Sequence, residues 1–164
     1  MDFYPWIVLV HVASAFVFVF AHGVSAFAAY RIRDERDPAR IRAYLELSSS
    51  GVQTMYAAFA LMVLAGIAGG LTRNWFAQGW IWAAIGVLLL VMFAMYGLAS
   101  RYYGTVREAV GLPSSMRRKG TEPPPPATAD ELAVLLRSWR PDAIAGIGFI
   151  GLLIIIWLMV VKPF

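Results

Sequence analysis

The chain has 164 residues, of which 60% are hydrophobic and only 15% are charged. Soluble domains are about 45–50% apolar and about 25% charged, so this composition excludes an ordinary soluble domain and indicates a membrane protein. The formal net charge of +4 comes from basic residues that flank apolar stretches, which favours a role in membrane topology over nucleic-acid binding. The chain has no cysteine, which excludes disulfides and thiolate metal sites.

The first predicted span covers residues 6–30 and contains both histidines of the chain, His11 and His22. At about 100° per residue, their spacing places them within about 20° of one helical face and about 16 Å apart along the axis. Histidines at membrane depth usually face the interior of a helix bundle, so this face is the first candidate for a functional site. The same stripe also carries Ser14, Phe18, Ser25 and Ala29, and its small members would let another helix approach closely.

A basic loop at 31–50 follows the first span, and Asp37-Pro38 within it is typical of a helix start. The second span is predicted at 51–71, where Gly66 and Gly70 form a GxxxG pair that favours tight helix contact.

A short turn leads into the third span, predicted at 80–99. The turn and the start of this span carry three tryptophans that are typical of membrane-interface anchors: Trp75, Trp80 and Trp82.

The segment 101–141 is the second basic loop of the chain. Its part 112–127 is rich in proline and predicts an extended linker. Thr128 and Glu131 fit a capping box that opens a short helix before the fourth span, which is predicted at 142–161.

Twelve of the fourteen basic residues fall in the two loops at 31–50 and 101–141. Basic residues concentrate on the cytoplasmic side of membrane proteins, so we expect both loops in the cytoplasm and both the N- and C-termini outside. The fold expected is an all-α membrane protein, an antiparallel four-transmembrane-helix bundle that forms one domain over 1–164. The location expected is the bacterial cytoplasmic (inner) membrane.

Several stretches resemble a family of small, uncharacterised bacterial integral membrane proteins known only as a domain of unknown function. The similar stretches are LVHVASAFVFVFAHG, GWIWAAIGVLLLVMFAMYG, RYYGTVREAVG and WLMVVKPF. More distantly, the first span is similar to the His-bearing first helix of copper-resistance D-type domains and of small membrane protoporphyrinogen oxidases. That resemblance implies haem or copper handling near His11. The oxidase family also carries a lysine within a later span, and no predicted span of this chain contains one.

The residues themselves suggest haem, because four-helix b-type cytochromes hold haem between histidine or methionine side chains on facing helices. Two histidines about 16 Å apart on one helix cannot bind the same iron, so each requires a partner from another helix or another subunit. Depth along straight antiparallel helices matches His11 with Met159, and His22 with Met95 or Met55. We therefore expect a haem b site that uses His11 and His22 as metal ligands, with Met95 and Met159 as further cofactor-binding residues.

A structural or accessory role without a cofactor is the alternative, and the sequence leaves both open. In that case each neutral imidazole donates to a backbone carbonyl or a serine and fixes a helix contact, while the methionines fill the bundle. Copper fits less well, because copper sites need several ligands close together.

A transporter or channel fits poorly too, since no Asp, Glu, Lys or Arg lies deep in a span. No residues are assigned a catalytic role, so whether the chain is an enzyme is left open. The partners expected are the lipid bilayer, anionic lipids at the basic loops, and a second copy or a partner membrane subunit.

Overall fold

The computed structural model describes residues 2–114 and 124–164, and these residues form helices and turns without any strand. Four stretches are long and apolar enough to cross a membrane, judged by length and composition. The prediction of an all-helical chain with four candidate spans is therefore confirmed. The helices are α1 (Tyr4–Arg33), α2 (Pro38–Ser50), α3 (Val52–Thr72), α4 (Gly79–Ala109), α5 (Ala129–Leu136) and α6 (Arg140–Val161), and a short 3-10 turn spans Trp75–Ala77.

The long helices associate as two pairs, with α1 against α3 and α4 against α6. In the first pair the start of α1 meets the end of α3, where Ile7 contacts Gly69. In the second pair Met95 of α4 contacts Gly148 of α6, and the earlier residue Val91 contacts the later Gly151. Both pairs are antiparallel. The seam of the first pair contains small residues, which lets the two backbones approach closely. Gly66 lies against His11 and Gly69 against Ile7, and Ala21, Ala58 and Ala65 are buried in these two helices.

The two pairs are joined at one end by a cluster of buried apolar side chains from α1, α2, α4 and α5. We call this the basic-end cluster, because the arginine-rich segments surround it. Its members are Ile32, Ile41, Leu45, Tyr102, Val106, Val110, Leu132 and Leu136.

At the opposite end, which we call the tryptophan end, Trp75 links the two pairs. Its ring lies 5.7 Å from that of Tyr4 on α1 and 5.4 Å from that of Trp80 on α4, between ring centroids. The ammonium of Lys162, just after α6, lies 4.6 Å from the Trp75 ring centre. The backbone N–H of Trp80 donates to the carbonyl of Phe164 at 3.1 Å, which places Phe164 at this end of the molecule. Tyr4 brings the start of the chain to the same end.

Two helix starts have the local chemistry that the sequence indicates. The side chain of Asp37 accepts a hydrogen bond from the N–H of Ala39 at 2.9 Å and caps α2. Thr128 and Glu131 form a reciprocal capping box at the start of α5.

Helix α4 runs about three turns beyond the predicted span 80–99 and ends at Ala109. The extra turns bury Tyr102 and Val106 against α2 and α5, and this packing explains why the helix continues through a charged stretch. The chain then turns at Gly111, which has a φ of +75°. Most of the predicted proline-rich linker, residues 115–123, lies outside the described residues, as do Arg117, Arg118 and Lys119.

Candidate functional site

His11 lies in the seam between α1 and α3. Its Nδ1 is 2.8 Å from the carbonyl oxygen of Met62 on α3. Its ring rests on Gly66, where a Cβ atom would come within 3.1 Å of the ring carbon Cε1 and 3.2 Å of Nδ1. Gly66, the first glycine of the GxxxG pair, therefore provides the space that the imidazole occupies.

The bond to Met62 determines which nitrogen of His11 carries the proton. A carbonyl oxygen only accepts hydrogen bonds, so Nδ1 must be the donor. In the neutral imidazole Nε2 is then unprotonated, with a lone pair available to a metal ion or to a hydrogen-bond donor. No buried side-chain nitrogen or oxygen among the described residues lacks a partner, so Nε2 is not sealed inside the protein.

His22 lies about three turns further along α1 and is half-buried. Its ring stacks on Phe18, with centroids 6.0 Å apart and planes 14° from parallel. Phe18 in turn contacts Phe59 on α3, at 5.6 Å between centroids. Within the described part of the chain, the His22 ring nitrogens have no hydrogen-bond partner. Since no buried side-chain nitrogen among the described residues lacks a partner, neither ring nitrogen is fully enclosed by the protein.

The stripe that carries the two histidines is the face that α1 presents to α2 and α3. Ser14 and Ala29 are buried along it. Near its end, the hydroxyl of Ser25 lies 2.9 Å from that of Ser48 on α2. The structure therefore places neighbouring helices on the predicted stripe, so the ring faces of His11 and His22 are partly covered by protein.

Met95 and Met159 belong to the other helix pair. The terminal methyl group of Met95 packs on Gly148 of α6. Met159 packs against the apolar cluster around Trp80 at the tryptophan end. The histidines contribute to the α1–α3 pair and the methionines to the α4–α6 pair, so the described contacts do not bring the four side chains together.

A haem-type group would require one imidazole nitrogen for each iron. His11 has the arrangement typical of metal-binding histidines, because its Nδ1 is bonded to a carbonyl and its Nε2 has no partner among the described residues. His22 lies about 16 Å away along the same helix and cannot share an iron with it. No group of three or more His, Asp or Glu side chains among the described residues is placed to hold a metal ion.

The seating of His11 on Gly66 is the feature of this site that sequence reasoning missed. The GxxxG pair was visible, but which residue of α1 meets Gly66 depends on the register between α1 and α3. That register is set by the length and path of α2, which the apolar pattern of the two spans does not reveal.

Compared with protein-family models, curated proteins and solved structures, the chain matches none of them. The site is therefore interpreted from its own geometry.

Proposed function

We propose that this chain crosses a membrane four times and binds a haem-type tetrapyrrole through Nε2 of His11. The observation that carries the proposal is the 2.8 Å contact between Nδ1 of His11 and the carbonyl of Met62. Histidines that bind metals usually donate their other ring N–H to a carbonyl or carboxylate, which fixes the tautomer and the direction of the ring. A bound haem would supply one-electron chemistry, and His11 would hold and orient it.

His22 is the second proposed ligand, and it serves a separate group or a neighbouring subunit. Its ring nitrogens, which have no partner among the described residues, and its stacking on Phe18 are compatible with either role. The proposal depends on the histidines more than on Met95 and Met159, since both methionines already fill positions in the α4–α6 pair. A second copy or a partner membrane subunit is the proposed source of any further axial ligand.

The proposed orientation puts the basic end in the cytoplasm of a bacterial cell and both termini outside. The concentration of arginines at one end supports it. The cysteine-free chain allows a direct test with single cysteines at Gln78 and Asp34. A membrane-impermeant thiol reagent added to intact cells is expected to label Gln78→Cys and not Asp34→Cys. The reverse labelling pattern would show that the protein has the opposite orientation in the membrane.

The haem proposal is tested by the visible absorption spectrum of the protein, purified with haem supplied during expression. Wild type is expected to show a Soret band, and His11→Ala to lose most of it. His11→Asn is the sharper variant, because the Asn amide N–H can take the place of Nδ1–H toward Met62 but offers no nitrogen ligand to iron. Phe16→Leu, an exposed change on the same helix, serves as the control. A colourless wild-type protein after haem reconstitution would reject the proposal.

A structural or accessory role is the second candidate, and the contact of His11 with α3 favours it. The imidazole already forms a hydrogen bond between helices and fills the space at Gly66, which is a sufficient reason for a histidine at this position. If this role is the correct one, the wild-type protein has no Soret band. His11→Ala then lowers the thermal stability, and His11→Asn keeps it close to wild type.

A further inference from the structure

An open hollow of about 240 Å³ lies at the basic end between α4, α5 and the start of α6. It is separate from the histidine face of α1. Its lining residues are Arg101, Tyr102, Thr105, Leu135, Ser138 and Arg140.

Two guanidinium groups from different helices converge on this hollow. Arg140 donates to the carbonyl of Leu98 on α4 at 3.3 Å, which holds its side chain across the gap between α6 and α4. Arg101 is exposed. Among the described residues, neither arginine forms an ion pair with a carboxylate. The nearby Asp142 is paired with Arg33 at 2.9 Å, so its charge is already balanced.

Other arginines at the basic end serve the protein's own contacts. Arg42 donates to the carbonyl of Val110, and Arg107 donates to the hydroxyl of Ser49 at 2.8 Å. These bonds tie α2 to the region around the end of α4. The Arg101 guanidinium, by contrast, has no partner among the described residues. Arg140 makes one bond to a backbone carbonyl, which leaves its charge without a carboxylate, and both arginines line the same hollow.

The hollow lies at the boundary of the apolar part of the molecule. No charged residue occurs in α4 between Gly79 and Ser100, or in α6 after Asp142. Arg101 and Arg140 are therefore at the level where the hydrocarbon of a surrounding bilayer gives way to headgroups. The exposed Trp139, next to Arg140, is typical of that level.

We propose that this hollow binds the phosphate of an anionic phospholipid. Guanidinium groups bind phosphate oxygens through pairs of parallel hydrogen bonds, and the two here more than balance the single negative charge of a phosphodiester. The hydroxyl of Ser138 accepts from the N–H of Arg140 at 3.3 Å, which leaves its own hydrogen free to donate to the ligand. Leu135 and Tyr102 provide an apolar wall for the glycerol and the upper acyl chain. The inference rests on the proposed membrane insertion and is independent of haem.

The test compares lipid retention in the double variant Arg101→Gln/Arg140→Gln with the control Arg36→Gln/Arg137→Gln. The control removes the same charge from exposed arginines at the same end, outside the hollow. Native mass spectrometry of the full chain in detergent measures binding of phosphatidylglycerol and of zwitterionic phosphatidylcholine. Glycerol 3-phosphate is the soluble competitor. A hydrogen-bonded contact contributes about 1 kcal/mol net, which corresponds to about fivefold weaker binding for each arginine lost from the hollow.

We expect the wild type to retain phosphatidylglycerol in preference to phosphatidylcholine, and Arg101→Gln/Arg140→Gln to bind it about 25-fold more weakly. The control should stay close to wild type. Arg101→Lys/Arg140→Lys should bind more weakly than wild type and more tightly than the glutamine variant, because an ammonium keeps the charge but cannot form the paired hydrogen bonds of a guanidinium. Arg101→Gln alone should still weaken binding about fivefold. Because the Arg101 guanidinium has no partner in the described residues, this variant should fold normally, so a loss of binding cannot be attributed to misfolding.

Equal losses of phosphatidylglycerol binding in Arg101→Gln/Arg140→Gln and in the control would overturn the proposal. The lipid would then be attracted by the positive charge of this end as a whole. Binding of glycerol 3-phosphate without the lipid would overturn it in favour of a soluble anion. The absorption spectrum of the same samples separates the two proposals, because a colourless protein that retains the lipid supports this one and contradicts only haem binding.

Discussion

Gly66 and His11 occupy one shared space in the seam between α3 and α1. Because a Cβ at Gly66 would approach the imidazole within 3.2 Å, even a methyl group there requires the ring to shift by a few tenths of an ångström. The bond from Nδ1 to Met62 depends on that ring position. The size of one residue on α3 therefore controls the orientation of the candidate ligand on α1.

Gly66→Leu tests this dependence. We expect it to displace the His11 ring and to lower the free energy of unfolding by about 1–3 kcal/mol, the usual cost of overpacking a tight contact. Thermal unfolding in detergent measures the loss, and nitrogen NMR of His11 should show that Nδ1 is no longer the fixed donor. Gly86→Leu is the matched control, because nothing lies within 4 Å of a Cβ placed there. Similar losses in both variants would show that the glycine contact with His11 has no special role.

Glu35, in the turn between α1 and α2, makes a pH-dependent contribution to the stability of the folded protein. Its carboxylate accepts the backbone N–H groups of Asp37 at 3.1 Å and Arg36 at 2.9 Å, and these bonds lower the pKa of Glu35 below its ordinary value. A group with a lowered folded pKa stabilises the native state above its unfolded pKa. That contribution is lost as the pH falls through the folded pKa.

Glu35→Gln removes this titration. The variant should lose less thermal stability than wild type when the pH is lowered from neutral to below the ordinary range of a glutamate. Melting temperatures measured across that range provide the comparison. An unchanged pH dependence in Glu35→Gln would contradict the role given to these hydrogen bonds.

At the scale of elements, the eight-residue helix α5 depends on its cap and on its packing. The side chains of Thr128 and Glu131 satisfy backbone N–H groups at its start, while Leu132 and Leu136 are buried in the basic-end cluster. An isolated helix of this length would be marginal in water. The cap and the two leucines therefore act together to hold α5 against α4.

Thr128→Ala is expected to destabilise α5 by about 1 kcal/mol, since an N-cap hydroxyl is lost. Hydrogen exchange of the α5 amides should accelerate more than that of α3. Thr128→Ser keeps the hydroxyl and should behave like wild type. Equal exchange in wild type and Thr128→Ala would mean that packing alone fixes this helix.

How far the sequence predicted each element depended on whether the signal was local. Hydropathy marks the four apolar stretches, and Asp37 and Thr128 mark helix starts, because span length and capping depend on neighbouring residues. The C-terminal extension of α4 was missed because Arg101 and Arg107 suggested an interface loop. Tyr102 and Val106, at helical spacing, are the apolar signal that could have revealed it.

At the scale of the whole molecule, two antiparallel pairs are joined at their ends. The small-residue seam holds α1 on α3, and glycines of α6 receive the side chains of α4. Between the pairs, the buried apolar side chains are concentrated in the basic-end cluster. Around Trp80, buried side chains of α4 and α6 pack against Trp75 and Phe76 of the turn that follows α3. The contacts that form each helix pair are therefore largely different from the contacts that join the two pairs.

Trp80→Ala tests that separation at the tryptophan end. The Trp80 side chain is only 1% exposed and contacts Trp75, so its loss should cost about 3–5 kcal/mol through the cavity that it leaves. Trp82, which is 59% exposed and donates to the carbonyl of Phe76 at 2.9 Å, is the matched control. Trp82→Ala should cost about 1 kcal/mol, the worth of one hydrogen bond.

If end contacts join the pairs, Trp80→Ala should lower the unfolding temperature while amide exchange in the α1–α3 seam, at Ala65, stays close to wild type. A matching increase of exchange at Ala65 would instead show that the four long helices unfold as one unit, and that the seam does not hold its pair together by itself.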